Sequence, residues 1–170
     1  MMNERTDLKL TFAGNPVTIL GNKLNVGDVA PDFTVINTKL EPVKLSDFAG
    51  KQIVIAVYPS VDTPVCAAQN RRFNAEVDTI ENTVVLSISC DLPFAQSRFC
   101  AAENLHNILT LSDHKDLDFS KKYGFLIKEL RLLTRGTIII GSDGKIKYIE
   151  YVPEITTEPD YNKALAIIKG

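Results

Sequence analysis

Tryptophan is absent from this sequence, histidine occurs only twice, and neither sign of charge dominates: 19 lysines and arginines stand against 21 aspartates and glutamates. The near balance leaves no basic field to hold phosphates, and no cluster of lysine and arginine interleaves with aromatics. Nucleic acid is therefore not an expected partner. No apolar run approaches the roughly 20 residues needed to cross a bilayer, and the start M-M-N-E-R-T-D-L-K-L has no apolar stretch of the kind a secretory signal carries. The reading is a cytoplasmic protein with no membrane partner. Three cysteines, an odd number without an export signal, do not make a disulfide framework. There is no C-x-x-C or H-x-x-x-H spacing, so a metal site is not expected, and His106 and His114 read as residues of surface turns. No repeat, low-complexity tract or linker breaks the chain. With 170 residues, 45% of them hydrophobic, it is expected to form a single domain over residues 1–170 with a substantial core.

What is present alternates between strand and helix. L-K-L-T-F and V-T-I-L, separated by A-G-N-P, predict an N-terminal β-hairpin, with Gly14, Asn15 and Pro16 as turn formers. D-F-T-V-I-N (32–37) follows, and then Q-I-V-I-A-V-Y (52–58), whose unbroken apolar run suits a strand covered on both faces. A helix is predicted from Pro64, with Thr63 as N-cap and the proline at the first helical position. The pattern then repeats: strand 83–89, helix 92–104, strand 108–111, and a short helix 116–123 closing at Gly124. T-I-I-I and K-I-K-Y-I-E-Y-V flank the hairpin signal G-S-D-G, and a last helix begins near 158–160. This order predicts an α/β fold with a mixed sheet flanked by helices.

The stretch P-S-V-D-T-P-V-C, Pro59 to Cys66, leads a buried strand directly into a proline-bounded turn and sets a cysteine in the first turn of the next helix. A thiol attacks only as thiolate, and at its ordinary pKa of about 8.5 little of it is ionised at neutral pH. Unpaired backbone N–H groups and the positive end of the helix dipole favour the anion at that position. The strand-to-turn entry also places the sulfur at the carboxyl end of the sheet, where open α/β sheets keep their sites. Thr63 can offer its hydroxyl to the sulfur or to an oxygen beside it. The competing reading is a cysteine buried for packing, which is common for free thiols. Local chemistry leaves both open.

The spacing of Pro59, Thr63 and Cys66, P-x-x-x-T-x-x-C, resembles the active-site motif of the peroxiredoxins, in the form used by their thiol peroxidase subfamily. D-L-P-F-A-Q-S-R-F-C (91–100) and E-I-T-T-E-P-D-Y (154–161) resemble further blocks of that subfamily, in the same order. The resemblance implies a thioredoxin-like fold and a peroxidase that works on cysteine alone, with no cofactor. It implies Cys66 as peroxidatic cysteine, Cys100 as resolving cysteine in an intrachain disulfide, and Pro59 and Thr63 as shapers of the peroxide pocket. It also implies an active-site arginine from a later strand. Arg135 is the position that fits, bordering the strand, with Arg131 as its rival. Further implied are a hydroperoxide substrate, a thioredoxin-like reductant and a homodimer built near the active-site turn and the helix after Leu92. Cys90 has no counterpart in this scheme and is taken as structural. A redox sensor that passes oxidation to a partner protein is the alternative use of the same cysteines.

Overall fold

The structure is a computed structural model and describes residues 2–170. Its centre is the predicted run of alternating strands and helices. Strand β6 (Gln52–Val57), helix α1 (Pro64–Val77), strand β7 (Thr83–Ser89), helix α2 (Pro93–Glu103) and strand β8 (Ile108–Ser112) follow one another, and the three strands pair in parallel. Strand β11 (Gly136–Ile140) pairs antiparallel to β6 on one side. The remaining strands of this sheet are β12 (Ile146–Tyr151), β4 (Thr34–Ile36) and β5 (Pro42–Lys44), giving the mixed order β12-β11-β6-β7-β8-β4-β5. Strand β6 is central and covered on both faces, which is why its sequence shows no polar alternation.

Alternate residues of the central strands feed two separate cores. Ile53, Ile55, Val57, Leu86, Ile88, Ile138 and Ile140 join Phe33, Phe119 and Tyr123 on one face. On the other, Val54, Ala56, Val85 and Ile139 pack with Phe73 of α1 and with Ala164, Leu165 and Ile168 of α4 (Tyr161–Lys169). The two-residue period of a strand produces this division directly. Helix α3 (Asp118–Tyr123) closes at Gly124, whose φ of 71° suits glycine.

The N-terminal hairpin is present but tighter than expected. Strands β1 (Leu10–Phe12) and β2 (Asn15–Val17) turn at Ala13 and Gly14, both with positive φ, so Asn15 and Pro16 belong to the strand and not to the turn. Two positive φ values in a two-residue loop match the right-handed twist of a hairpin. Ile19 and Leu20 leave the hairpin as strand β3 (Ile19–Leu20), pairing with β9 (Leu126–Ile127), which in turn pairs with β10 (Leu132–Leu133). Strands β5, β9 and β10 and a 3₁₀ turn at Leu45–Phe48 are additions to the predicted elements. They are too short to show a period, and long-range pairing fixes them.

Candidate active site

The motif around Cys66 folds as its spacing predicts. Thr63 occupies the N-cap position of α1, Pro64 the first helical position, and Cys66 the first turn. Thr63 does not use its side chain to cap the helix. Its Oγ1 lies 2.7 Å from Cys66 Sγ and 3.1 Å from the Ser60 carbonyl oxygen. A hydroxyl has one proton and two lone pairs, so Thr63 can donate to the carbonyl while accepting from a thiol, or donate to a thiolate. The same side chain serves both protonation states of the sulfur.

Cys66 is fully buried, under Tyr58, Val61 and Phe99. Burial alone fits a packing cysteine; a hydroxyl aimed at the sulfur, backed by a buried polar network, does not. Asn70 Nδ2 donates to the Cys66 carbonyl oxygen at 2.9 Å, and Ser87 Oγ donates to Asn70 Oδ1 at 2.6 Å. Since Ser87 has spent its proton, the Tyr58 hydroxyl must be the donor in its 2.5 Å contact with Ser87. Burial raises the Tyr58 pKa and keeps it a donor. Pro59, also buried, follows Tyr58 directly. The loop beyond it is pinned by Asp91, which accepts from Ser60 Oγ at 2.7 Å and Val61 N at 2.9 Å.

The two candidate arginines are placed differently. Gly136 stands opposite Val57 in the β11 and β6 register, so Arg135 lies at the carboxyl end of β6, the end that carries the motif. Arg135 is buried, whereas Arg131 is exposed. Arg135 Nε donates to the Ile155 carbonyl oxygen at 2.7 Å, and Nη1 donates to Gln69 Oε1 at 2.9 Å. Gln69, fully buried one helical turn beyond Cys66, turns its amide nitrogen towards the Val57 and Gly136 carbonyls, 3.4 Å from each. It thereby joins α1 to the ends of both strands. Gly136 is required there, because a Cβ would strike the Glu150 carbonyl oxygen and the Phe125 ring.

The other two cysteines stand apart from this arrangement. Cys100 is half-buried in α2, with Sγ 3.3 Å from Thr110 Oγ1, and burial pushes its pKa up. Its neighbour Phe99 covers Cys66, so α2 touches the pocket through the residue beside the cysteine. All three cysteines are free. Burial, helped by the carboxylates of Asp113 and Asp91, pushes the Cys90 thiol up to about 12, which fits its reading as structural. His106 and His114 are exposed, as expected. No group of metal-ligating side chains is found among the described residues.

Sequence reasoning missed Gln69, Asn70 and Asp91. The first two carried a signal, since they fall three and four residues after Cys66 on a helix face that is otherwise buried, where polar residues need a partner. The Ile155 carbonyl carried none, because a backbone acceptor has no residue type.

Residues 25–165 match the redoxin family. Thiol peroxidase of Listeria innocua is 52% identical, over 95% of this chain and 98% of its own length. Thiol peroxidase of Halalkalibacterium halodurans is 51% identical, over 95% and 97%. Among solved structures, a peroxiredoxin-like protein from Aquifex aeolicus superposes with a TM-score of 0.89 at 37% identity, covering 99% of this chain and 97% of that one. Thiol peroxidase from Chromobacterium violaceum, at 21% identity and a TM-score of 0.85 over 96% of each chain, agrees in fold. With the family match spanning most of the chain and relatives this similar along nearly all of it, the chain belongs to the redoxin family, alongside the thiol peroxidases.

Proposed function

We propose that the protein is a thiol peroxidase that reduces hydrogen peroxide and organic hydroperoxides through Cys66. The observation that carries this reading is the 2.7 Å contact between Thr63 Oγ1 and Cys66 Sγ in the first turn of α1. The Cys66 thiolate attacks one peroxide oxygen, and the O–O bond breaks. The sulfur is oxidised to sulfenic acid, and the departing alkoxide or hydroxide takes a proton to leave as alcohol or water. Thr63 and Arg135 supply donors to the oxygens as charge moves from sulfur to the leaving group, and Pro59 shapes the wall. The Cys100 thiol then attacks the sulfenic sulfur, forming the Cys66–Cys100 disulfide and releasing water. A thioredoxin-type dithiol reduces that disulfide to two thiols and is itself oxidised.

Residues 1–170 act on this reading as one peroxiredoxin domain in the cytoplasm, where thiol reductants keep the three cysteines reduced. No helix is long and apolar enough to cross a membrane among the described residues. The protein works as a homodimer, a reading supported by Leu92 and Phe94, which are 53% and 64% exposed beside the loop that Asp91 pins. Steady-state peroxide consumption with a thioredoxin system tests the proposal: wild type turns over and Cys66→Ser does not. Oxidation of the protein without sustained turnover would favour the redox sensor.

A further inference from the structure

The block E-I-T-T-E-P-D-Y is unused by the sulfur chemistry, yet its first two residues stand directly behind Arg135. Ile155 is fully buried in a cluster with Leu10 and Ile19 from the hairpin side and with Ile127. Its carbonyl takes the Arg135 Nε proton. Glu154, next to it, gathers five hydrogen bonds: from Thr11 Oγ1 and Gly14 N at 2.8 Å, Ala13 N at 3.1 Å, and Thr156 N and Oγ1 at 2.9 and 2.6 Å. Backbone pairing reinforces the tie, since Thr11 N donates to the Pro153 carbonyl and Ile155 N to the Thr11 carbonyl, each at 2.8 Å.

The hairpin turn depends on this carboxylate. Ala13 has φ 51°, a left-handed conformation that penalises any residue with a Cβ, and with Gly14 it points two neighbouring N–H groups at Glu154. One side chain therefore holds the turn closed and fixes the segment whose next carbonyl orients the guanidinium. The opposite edge of that guanidinium is held by Gln69, so Arg135 is clamped between α1 and the 154–155 strap. We infer that Glu154 is a positioning residue for peroxide reduction, acting through Ile155 on Arg135, and that the N-terminal hairpin is a brace for the active site.

This inference rests on the proposed peroxidase reading, and a double-mutant cycle separates the two. The quantity read is the second-order rate constant for oxidation of Cys66 by hydrogen peroxide in the reduced protein. Glu154→Ala is expected to lower it about tenfold, since small misplacements of a positioned group are costly in rate. In an Arg135→Met background, where no guanidinium is left to position, the same change is expected to cost nothing further. Glu154→Gln, which keeps a carbonyl acceptor, should lie between Glu154→Ala and wild type, and it replaces Glu154→Ala in the cycle if that variant does not fold. Equal losses in both backgrounds, or a lower melting temperature with an unchanged rate constant, would overturn the inference. If Arg135→Met alone changes nothing, the fault lies in the role given to the arginine, and the inference falls with it.

Discussion

Thr63 shows how one residue type at one spacing brings a hydroxyl to a sulfur. Its hydroxyl is placed by the N-cap geometry that the T-P step dictates, and it is turned from capping the helix to facing the sulfur. Thr63→Val keeps the shape and removes the donor. A hydrogen bond to a charged group contributes about 1.5 to 3 kcal/mol, so the variant should lose about ten- to a hundredfold in the rate of Cys66 oxidation. Stopped-flow measurement with peroxide checks this, and an unchanged rate would remove Thr63 from the site. Asp113 is a second residue with a measurable consequence. It is buried and accepts from Phe119 N and Ser120 N, and burial still raises its pKa to about 6 from 3.8. The native state therefore holds this proton to higher pH than the unfolded chain does. Stability should fall as pH rises from about 4 to about 6, by on the order of 3 kcal/mol, and level off above. Denaturant titration across that range should show a slope that Asp113→Asn lacks. Cys66, Thr63 and Arg135 were singled out in the sequence through the resemblance of their motif blocks, since local chemistry alone left Cys66 open between a reactive and a packing thiol. Gln69 was not, because its task is defined by two strand ends that meet only in the fold.

At the scale of elements, the proposed disulfide cycle places its demand on α2. This helix buries only Pro93 and Gln96; Gln96 Nε2 ties its first half to the sheet through the Leu111 carbonyl at 2.8 Å and Ser89 Oγ at 3.2 Å, while no residue of its second half is fully buried. Cys100 faces Thr110 while Phe99 covers Cys66, and a disulfide needs Cα atoms about 4.4 to 6.8 Å apart. On the proposed Cys66–Cys100 pairing, the C-terminal half of α2 is expected to unwind, because Cys100 turns to Thr110 while its neighbour Phe99 stands over Cys66. Oxidation should produce a Cys66–Cys100 peptide by mass spectrometry and faster amide exchange across 97–104; a Cys66–Cys90 peptide instead would contradict the pairing. The sequence placed the long elements well: β6, α1 and β7 each bury a continuous run or stripe, and α2 is marked by Pro93 at its first position. It missed β5, β9 and β10 and stretched the hairpin to Leu20, because two- and three-residue strands carry no period and their partners lie far along the chain.

For the whole molecule, parallel β6 and β7 end beside Cys66 and the Asp91 loop, antiparallel β11 begins there with Arg135, and the strap at 154–155 bonds that arginine from behind. Mixed topology is what allows this: β11 runs against β6, so the start of one meets the end of the other. The order of elements and three separated motif blocks made the architecture readable before any contact was known, whereas the register that seats Arg135 is a property of the folded sheet. Sedimentation of the reduced protein at micromolar concentration should give a dimer, and oxidation should weaken it if α2 lies at the contact. A monomer would remove the dimer from the account and leave the sulfur chemistry untouched.

The central claim is that Cys66 is the atom that meets the peroxide. Cys100→Ser isolates that step, since the sulfenic acid then lacks its proposed resolving thiol. Treated with excess peroxide and a sulfenic-acid-specific label, this variant should rapidly consume about one equivalent per chain and carry the label on Cys66, with slower overoxidation of the same sulfur. Label on Cys90 instead, or peroxide consumption that survives Cys66→Ser, would contradict it.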